Sequence, residues 1–310
     1  MQIGTIRIPR ESESFVEDVI AAEDAGFDLV GVADSQCLMQ ELYVSLGTVA
    51  RETDAVELAT SVTNPVTRHP VVTASALCTL DEHSNGRAVL GLSGGDSAVY
   101  TLGKSAASLR EIREFCELFH ALCGGEEREF EGYEVDLTWL RMRGTTREIP
   151  ILLAAEGPKT LEMAGHVADR VLIGGGTTDP VVREAIERIN EGARMANRDP
   201  DEIDKWVFAR GAVVDDRSAV EEKLKSTVAA GGHHTFQFTF EGKRVPPELE
   251  EEISTLVAEY DSEQHLGLGD DPANRRLLDD LGLTDYFIDR FAIAGSADEV
   301  IDELHRLQAI

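Results

Sequence analysis

Residues 57–96 read ELATSVTNPVTRHPVVTASALCTLDEHSNGRAVLGLSGGD, and this stretch decides the fold class. Its opening apolar run is stopped by Asn64-Pro65, which predicts a strand followed by a turn. Apolar and small residues from Pro70 to Leu80 predict a helix, and Ser84-Asn85-Gly86 predicts the turn after it. Residues 87–92 predict a short buried strand. A strand that returns to a strand through a helix is a βαβ unit, so we expect parallel pairing and a right-handed crossover.

Polar residues and glycines gather where both strands of this unit end. In parallel α/β folds, ligands sit at the carboxyl ends of the strands. The stretch therefore predicts a ligand site at this edge. Its residues are Ser61, Thr63 and Asn64 after the first strand, and Ser93, Gly94, Gly95 and Asp96 after the second.

The same pattern continues along the whole chain. Strands are predicted near residues 3, 30, 59, 89, 152, 171, 209 and 292, and nearly all are followed by helices. Eight such units predict a (β/α)8 TIM barrel formed by residues 1–310 as one domain. A doubly wound open sheet is the alternative, but the first strand–helix turn lacks a GxGxxG fingerprint. Residues 231–290 are less regular and predict an insertion before the last strand, and residues 130–139 read as a hairpin outside the barrel pattern.

Composition bounds the class of protein. The chain has 310 residues, of which 42% are hydrophobic, enough for a substantial core. No apolar run reaches membrane-spanning length, and the first residues show no apolar signal region, so we expect a cytoplasmic protein. The four cysteines show no metal-ligand spacing and are interpreted as reduced thiols.

The charge balance is strongly acidic, with 58 Asp and Glu residues against 29 Lys and Arg residues, a net charge of −29. The acidic residues are spread through every segment, which indicates a solvated surface. We expect no nucleic-acid partner and no anionic-membrane partner, because both would be repelled. Since a high surface charge keeps a protein soluble in concentrated salt, we hypothesise a halophilic, salt-rich cytoplasm.

Two glycine-rich junctions could hold an anion. Gly174-Gly175-Gly176 precedes Asp179-Pro180, a predicted helix start with Asp179 as N-cap, and Glu156-Gly157-Pro158 makes a similar junction one unit earlier. Free backbone N–H groups at such helix starts bind phosphate. The simpler interpretation is that these glycines only form tight turns.

Few side chains in the sequence are suited to chemistry by themselves. Asp34 and Asp96 end two different strands, so they either face one pocket or cap the following turns. Arg68 and His69 are either substrate contacts or a polar helix entrance. His233-His234 lacks a third ligand at useful spacing, so no metal site is predicted. Because no nucleophile elbow and no catalytic Cys–His arrangement is present, a cofactor-dependent enzyme is favoured.

Three blocks of the sequence resemble a known family. Residues 61–96 resemble the core block of the bacterial luciferase-like superfamily, and within it the coenzyme F420-dependent methylenetetrahydromethanopterin reductase group. Residues 149–176 (IPILLAAEGPKTLEMAGHVADRVLIGGG) resemble the second block of that group, and residues 291–304 (FAIAGSADEVIDEL) resemble its C-terminal block. The resemblance implies a (β/α)8 barrel that holds F420, or alternatively FMN, at the carboxyl ends of its strands. It also implies a non-prolyl cis peptide between Ser61 and Val62.

Site residues follow from the positions that match the family's motifs. Cofactor contacts are implied for Ser61, Val62, Thr63, Asn64, Ser93, Gly94 and Asp96 around the ring, and for Ala155, Glu156, Gly157, Gly174, Gly175 and Gly176 around the phosphate end. We hypothesise that Asp34 and Asp96 polarise the cofactor or handle a proton. Substrate contacts are assigned to Ser35, Gln36, Arg68 and His69.

Two positions depart from the reductase group. That group has Glu where this chain has Ile6, and commonly His where it has Ser35. The change at Ile6 removes a possible proton donor, and Asp34-Ser35-Gln36 forms a different pocket floor. These departures bear on the methanopterin reaction more than on the cofactor class.

The sequence and the resemblance together predict an F420-dependent oxidoreductase of one-carbon metabolism. The leading reaction is hydride transfer that reduces methylene-tetrahydromethanopterin or methylene-tetrahydrofolate to the methyl form. The alternatives are an FMN-dependent luciferase-like monooxygenase, a barrel that binds flavin without turnover, and a cofactor-free isomerase that uses only the phosphate loops. The resemblance also implies a homodimer that acts on a small-molecule substrate.

Overall fold

The computed structural model describes residues 1–261 and 273–310. The chain divides into two compact units, and each is described by itself. Unit 1 comprises residues 1–154 and 167–170, and unit 2 comprises residues 155–166 and 171–310.

Unit 1 is built from parallel strands that alternate with helices. Its strands follow the order β1-β2-β3-β4-β7, and each neighbouring pair is parallel, with Val30 of β2 opposite Leu58 of β3. An antiparallel hairpin, β5–β6, stands outside this sheet. The elements are β1 (Gly4–Arg7), α1 (Ser12–Asp24), β2 (Leu29–Val32), α2 (Leu42–Val49), β3 (Glu57–Thr60), α3 (Pro70–His83), β4 (Ala88–Leu92), α4 (Ser97–Tyr100), α5 (Leu109–Cys123), β5 (Arg128–Phe130), β6 (Tyr133–Val135), α6 (Thr138–Met142) and β7 (Ile151–Ala155).

The central strands of unit 1 are apolar along their whole length because they are buried on both faces. Every residue of β2 and β4 is buried, as expected for parallel strands covered by helices. Helix α5 begins with a capping box between Ser108 and Glu111 and buries one apolar face, which includes Phe115 and Phe119. This rigid framework fixes the positions of the loops that follow β2, β3 and β4.

Unit 2 contains the remaining strands and helices. In it, β8 neighbours β9, while β10 and β11 form a separate two-stranded parallel sheet. Helices α9 to α12 pack around an aromatic core that includes Phe236, Phe287 and Phe291. The elements are α7 (Pro158–Val167), β8 (Arg170–Ile173), α8 (Asp179–Met195), β9 (Asp204–Val207), β10 (Arg210–Val213), α9 (Arg217–Phe236), α10 (Glu250–Glu259), α11 (Ala273–Asp280), α12 (Thr284–Phe291), β11 (Ala292–Gly295) and α13 (Ala297–Gln308).

Several local predictions differ from the structure. The strand expected near residue 209 is two strands, β9 and β10, and the strand expected near residue 292 pairs with β10. The hairpin over residues 130–139 is shorter, because residues 138–142 are helical. Asp179 is the first residue of α8 and not its N-cap, since Thr178 occupies that position and the Asp179 carboxylate pairs with Arg306.

The predicted insertion, residues 231–290, is described only in part. Residues 262–272 of it lie outside the described residues. The described parts contain the end of α9 and helices α10, α11 and most of α12. Among the described helices, none combines the length and apolar character that a membrane crossing requires.

Candidate functional site

The loop after β3 contains the peptide bond that the resemblance singled out. The bond between Ser61 and Val62 is cis, as expected. Beside it, a Cβ atom on Gly31 would lie 2.5 Å from the Cβ atom of Ser61. The close approach of β2 to this loop therefore requires glycine at position 31. The predicted cofactor residues Thr63 and Ser93 are joined by the main chain, because the Ser93 amide donates to the Thr63 carbonyl at 3.0 Å.

Asp34 lies at the centre of a buried polar network in unit 1. Its side chain is 1% exposed. One carboxylate oxygen accepts hydrogen bonds from Thr63 Oγ1 at 2.7 Å and from Arg68 Nη1 at 2.6 Å, and the other accepts from Arg68 Nη2 at 3.2 Å. Two-pronged arginine–carboxylate pairs of this kind are among the stronger hydrogen-bonded contacts in proteins. The structure thus brings a predicted catalytic residue, a cofactor residue and a substrate residue into one network.

Two residues that the sequence analysis missed complete this network. Arg68 Nη2 also donates to Glu41 at 2.7 Å, and the guanidinium lies 4.9 Å from the ring centroid of Tyr43. Burial alone would lower the pKa of Arg68, but its hydrogen bonds to Asp34 and Glu41 raise it above the usual value. Burial raises the pKa of Tyr43, so its phenol stays neutral.

The loop after β2 is tied to the start of α4. Ser35 Oγ lies 2.8 Å from Ser97 Oγ, and Gln36 Nε2 donates to the Ala98 carbonyl at 2.6 Å. Asp96 occupies the N-cap position of α4, yet its side chain makes no capping hydrogen bond to that helix. The capping interpretation of Asp96 is therefore confirmed for its position, since its carbonyl accepts from the Val99 and Tyr100 amides, but not for its side chain.

Several buried polar atoms in this region lack a hydrogen-bond partner among the described residues, and they belong to Gln36, Tyr43, Asn64, Thr67 and Thr73. Asn64 Oδ1 accepts from the amides of Val66 and Thr67, both at 2.9 Å, but Asn64 Nδ2 has no acceptor. Gln36 Oε1 likewise has no donor. A buried polar group left unpaired costs about 1–3 kcal/mol, so Asn64 Nδ2 and Gln36 Oε1 offer one donor and one acceptor to a ligand.

His69 is the N-cap of α3, as the simpler interpretation of this residue predicts. Its Nδ1 accepts from the Val71 amide at 3.2 Å, and its ring meets the Phe130 ring edge-on at 5.2 Å between centroids. His69 and Arg68 also line a cleft of 960 Å³ in unit 1, beside α5 and the β5–β6 hairpin. A contact between His69 and the substrate stays a prediction.

In unit 2, the two glycine-rich junctions come together. The Gly174 amide donates to the Ala155 carbonyl at 3.1 Å, and a Cβ atom on Gly174 would lie 2.6 Å from Glu156 Oε1. The absence of a side chain at Gly174 therefore makes room for the Glu156 carboxylate. Gly157 precedes α7, and its carbonyl accepts from the Leu161 amide at 2.9 Å.

Cations also surround Glu156, which the sequence analysis did not anticipate. Burial lowers the pKa values of Arg210, Lys243 and Arg290, and in each case the charge of Glu156 opposes that decrease. His234, which was considered as a metal ligand, places Nε2 3.7 Å from Glu156 Oε1. Among the described residues no group of three or more His, Cys, Asp or Glu side chains could hold a metal ion.

Comparison with known proteins decides the family. The model of the luciferase-like monooxygenase family matches residues 8–310. The chain belongs to this family.

Two relatives and one solved structure illustrate the likeness of this luciferase-like chain. A 5,10-methylenetetrahydromethanopterin reductase of Methanolobus tindarius is 30% identical over 290 residues, which cover 92% of this chain and 84% of that protein. An F420-dependent glucose-6-phosphate dehydrogenase of Nakamurella multipartita is 28% identical over 271 residues, which cover 80% and 79%. The structure of the coenzyme F420-dependent tetrahydromethanopterin reductase of Methanopyrus kandleri matches with a TM-score of 0.76 at 25% identity, covering 99% of this chain and 90% of that one. The prediction of a TIM-barrel fold of the luciferase-like type is confirmed.

The residues that the sequence analysis missed share one property in this luciferase-like chain. They meet their partners far along the sequence, as Glu41 meets Arg68 across 27 positions and Arg290 meets Gly175 across 115. Spacing along the sequence does not indicate such pairs.

Proposed function

We propose that the protein is an F420-dependent oxidoreductase that transfers a hydride between the deazaflavin and a small organic substrate. Support comes from its relatives, since both the glucose-6-phosphate dehydrogenase and the solved tetrahydromethanopterin reductase are described as F420-dependent. When bound, F420 supplies the hydride chemistry, and the protein supplies orientation and electrostatics.

The observation that carries this proposal is a buried donor and a buried acceptor in unit 1 that lack partners among the described residues. A deazaflavin ring presents carbonyl acceptors and an imide N–H donor along one edge. Asn64 Nδ2 is a donor of the kind that a ring carbonyl accepts from, and Gln36 Oε1 is an acceptor of the kind that the imide N–H donates to. The chemistry of these two groups therefore fits the ring of the cofactor.

We further propose distinct roles for the two acidic candidates. Asp34 already accepts three hydrogen bonds, so it serves best as a fixed negative charge that holds Arg68 and Thr63 in place. Asp96, at the start of α4, is proposed to hold or move a proton. Ser61, Val62, Thr63, Ser93 and Gly94 are proposed to support the ring. Ala155 to Gly157 and Gly174 to Gly176 are proposed for the phosphate end, where backbone N–H groups precede α7 and α8.

Reduction of methylene-tetrahydromethanopterin or methylene-tetrahydrofolate is the leading specific reaction. It is supported by the 30% identity to the Methanolobus tindarius reductase over 92% of this chain. Ser35, Gln36, Arg68 and His69 are proposed to select the substrate. The test measures the rate of F420 turnover by the purified enzyme with methylene-tetrahydromethanopterin, with methylene-tetrahydrofolate and with glucose 6-phosphate.

The test is a titration of F420 and FMN into apo-protein in molar KCl, followed by bound-chromophore fluorescence. The variant Asn64→Asp keeps the Oδ1 atom that serves Val66 and Thr67 but replaces the unpaired donor. We expect tight F420 binding, weakened by about tenfold or more in Asn64→Asp, because a charged-for-neutral mismatch at one buried hydrogen bond costs over 1 kcal/mol. Asn190→Asp, a change of equal charge on α8, is the matched control. Binding of FMN but not F420 would favour an FMN-dependent monooxygenase. Binding of neither cofactor would contradict the proposal.

A homodimer is the proposed assembly. Helices α2, α3 and α6 of unit 1 expose Val44, Val72 and Met142 to 70%, 56% and 81%, beside an apolar cleft of 920 Å³. Two copies of a chain of net charge −29 repel each other electrostatically. An apolar face carries few charges, so it is where a second copy binds with the least repulsion. Sedimentation in molar KCl should show a dimer that Val72→Glu dissociates, whereas a wild-type monomer would contradict it.

A further inference from the structure

Arg210 is held in an unusual environment in unit 2. It opens β10, and its guanidinium lies 4.5 Å from the ring centroid of Phe208 and 5.6 Å from that of Phe291. Helix α9 leaves room for it at Gly231, where a Cβ atom would lie 2.6 Å from Arg210 Nη2. A glycine inside a helix costs about 1 kcal/mol relative to alanine, so the local structure is shaped around this side chain at some expense.

The guanidinium of Arg210 has no hydrogen bond and no ion pair within residues 1–261 and 273–310. Its neighbour Arg290 behaves differently, because it donates to the Gly175 carbonyl at 3.0 Å and to the Tyr286 hydroxyl at 2.8 Å. Lys243 likewise donates to the Thr235 carbonyl. Arg290 and Lys243 therefore serve the fold, while the five N–H donors of Arg210 have no acceptor in the described part of the chain.

The electrostatic surroundings favour an anion at this place. Burial lowers the pKa of Arg210 to about 10, so the group stays protonated at neutral pH. The charge of Glu156 acts on Arg210, Lys243 and Arg290, so among the described residues this carboxylate has three cations in its surroundings.

We propose that Arg210 recognises an oxyanion, either a carboxylate or a phosphate, on a ligand that binds in unit 2. The planar guanidinium, fixed between two aromatic rings, presents paired donors that match the two oxygens of such a group. The site lies among residues that the proposed function assigns to the phosphate end of the cofactor. The source of the anion rests on that proposed function and is either the acidic tail of the cofactor or an anionic substrate.

The first experiment needs no cofactor. Thermal unfolding is measured in potassium phosphate and in potassium chloride at equal ionic strength, for wild type, Arg210→Gln, Arg210→Lys and the control Arg188→Gln. Arg188 is an exposed arginine on α8, 3.6 Å from Glu191. We expect a phosphate-specific rise in Tm that Arg210→Gln loses, Arg210→Lys keeps in part and Arg188→Gln keeps in full. An equal rise in wild type and Arg210→Gln would overturn the proposal, whether or not F420 binds.

The second experiment identifies the source of the anion. F420 and its chromophore without the phosphate and glutamate tail are titrated into wild type and Arg210→Gln. Loss of a charge-assisted hydrogen bond predicts about a tenfold to hundredfold weaker affinity for F420 and an unchanged affinity for the chromophore, if the tail is the ligand. An unchanged F420 affinity with a KM raised by the same factor at constant kcat assigns the anion to the substrate. Equal weakening of both deazaflavins would show structural damage and overturn the proposal.

These readouts separate the two proposals. If wild type binds neither F420 nor FMN, the proposed function fails, and the phosphate experiment still decides whether Arg210 binds an oxyanion. If F420 binds equally to wild type and Arg210→Gln and no substrate KM changes, the proposed function stands and the role of Arg210 falls.

Discussion

Replacing Arg68 with methionine should destabilise the protein strongly, because it strands a buried charge. The Asp34 side chain is 1% exposed and receives two of its three hydrogen bonds from Arg68. Breaking a buried ion pair by removing one partner costs about 3–5 kcal/mol. Since 1 kcal/mol shifts the Tm of a domain of 150–250 residues by about 2–4 °C, we expect Arg68→Met to lower Tm by about 6 °C or more.

The assay is urea unfolding in molar KCl of Arg68→Met, Asp34→Asn and the double variant. Asp34→Asn removes the stranded charge, so the double variant should recover part of the loss, giving a coupling energy of about 1–3 kcal/mol. Arg113→Met is the matched control, because Arg113 pairs with Glu117 at 2.8 Å while both side chains are more than half exposed. That control should change stability little, because water screens an exposed ion pair. An Arg68→Met variant no less stable than Arg113→Met would refute the reasoning.

Three further outcomes are expected. Tm should rise with KCl into the molar range, because salt screens the repulsion within a chain of net charge −29, and maximal stability in dilute buffer would contradict a halophilic origin. Asp96→Asn should lower kcat by about 100-fold or more with an unchanged Kd for F420 if Asp96 handles a proton, and an unchanged kcat would remove that role. Despite burial, hydrogen bonds from the amides of residues 54–56 lower the pKa of Glu23. The charged carboxylate therefore stabilises the fold above the unfolded-state pKa, and this contribution is lost as pH falls through the lower folded-state pKa. Glu23→Gln should destabilise the protein at neutral pH, and by progressively less as the pH falls, as urea unfolding over a pH series would show.

Local sequence signals predicted the framework of unit 1 well. Asn64-Pro65, the helix from Pro70 and the buried run at 88–92 are all present, because turn residues and apolar runs act over a few positions. In unit 2, Ser296 caps α13 through a capping box with Glu299, a short-range pattern of the same kind. Asp179 is not the cap because α8 begins at Asp179 itself, and its carboxylate pairs with Arg306 of α13. Tertiary contacts of this kind override local preference.

The candidate site was predictable in its residues but not in its connections. The loops after β2, β3 and β4 were identified from strand ends alone, since parallel strands align their carboxyl ends. The pairing of Asp34 with Arg68, the ring of Tyr43 beside it and the isolated guanidinium of Arg210 depend on packing between distant segments. Neither periodicity nor turn chemistry carries that information.

The contacts of Ser35 and Gln36 with α4 have a consequence for the history of this pocket. The side chains of Ser35 and Gln36 form hydrogen bonds with Ser97 and Ala98, so two segments 62 positions apart are held together at this point. A histidine at position 35, which the resemblance gives as the common residue of the reductase group, would replace the hydroxyl that lies 2.8 Å from Ser97 Oγ. We therefore expect positions 35 and 97 to vary together among related proteins. An engineered Ser35→His variant should need a compensating substitution at Ser97.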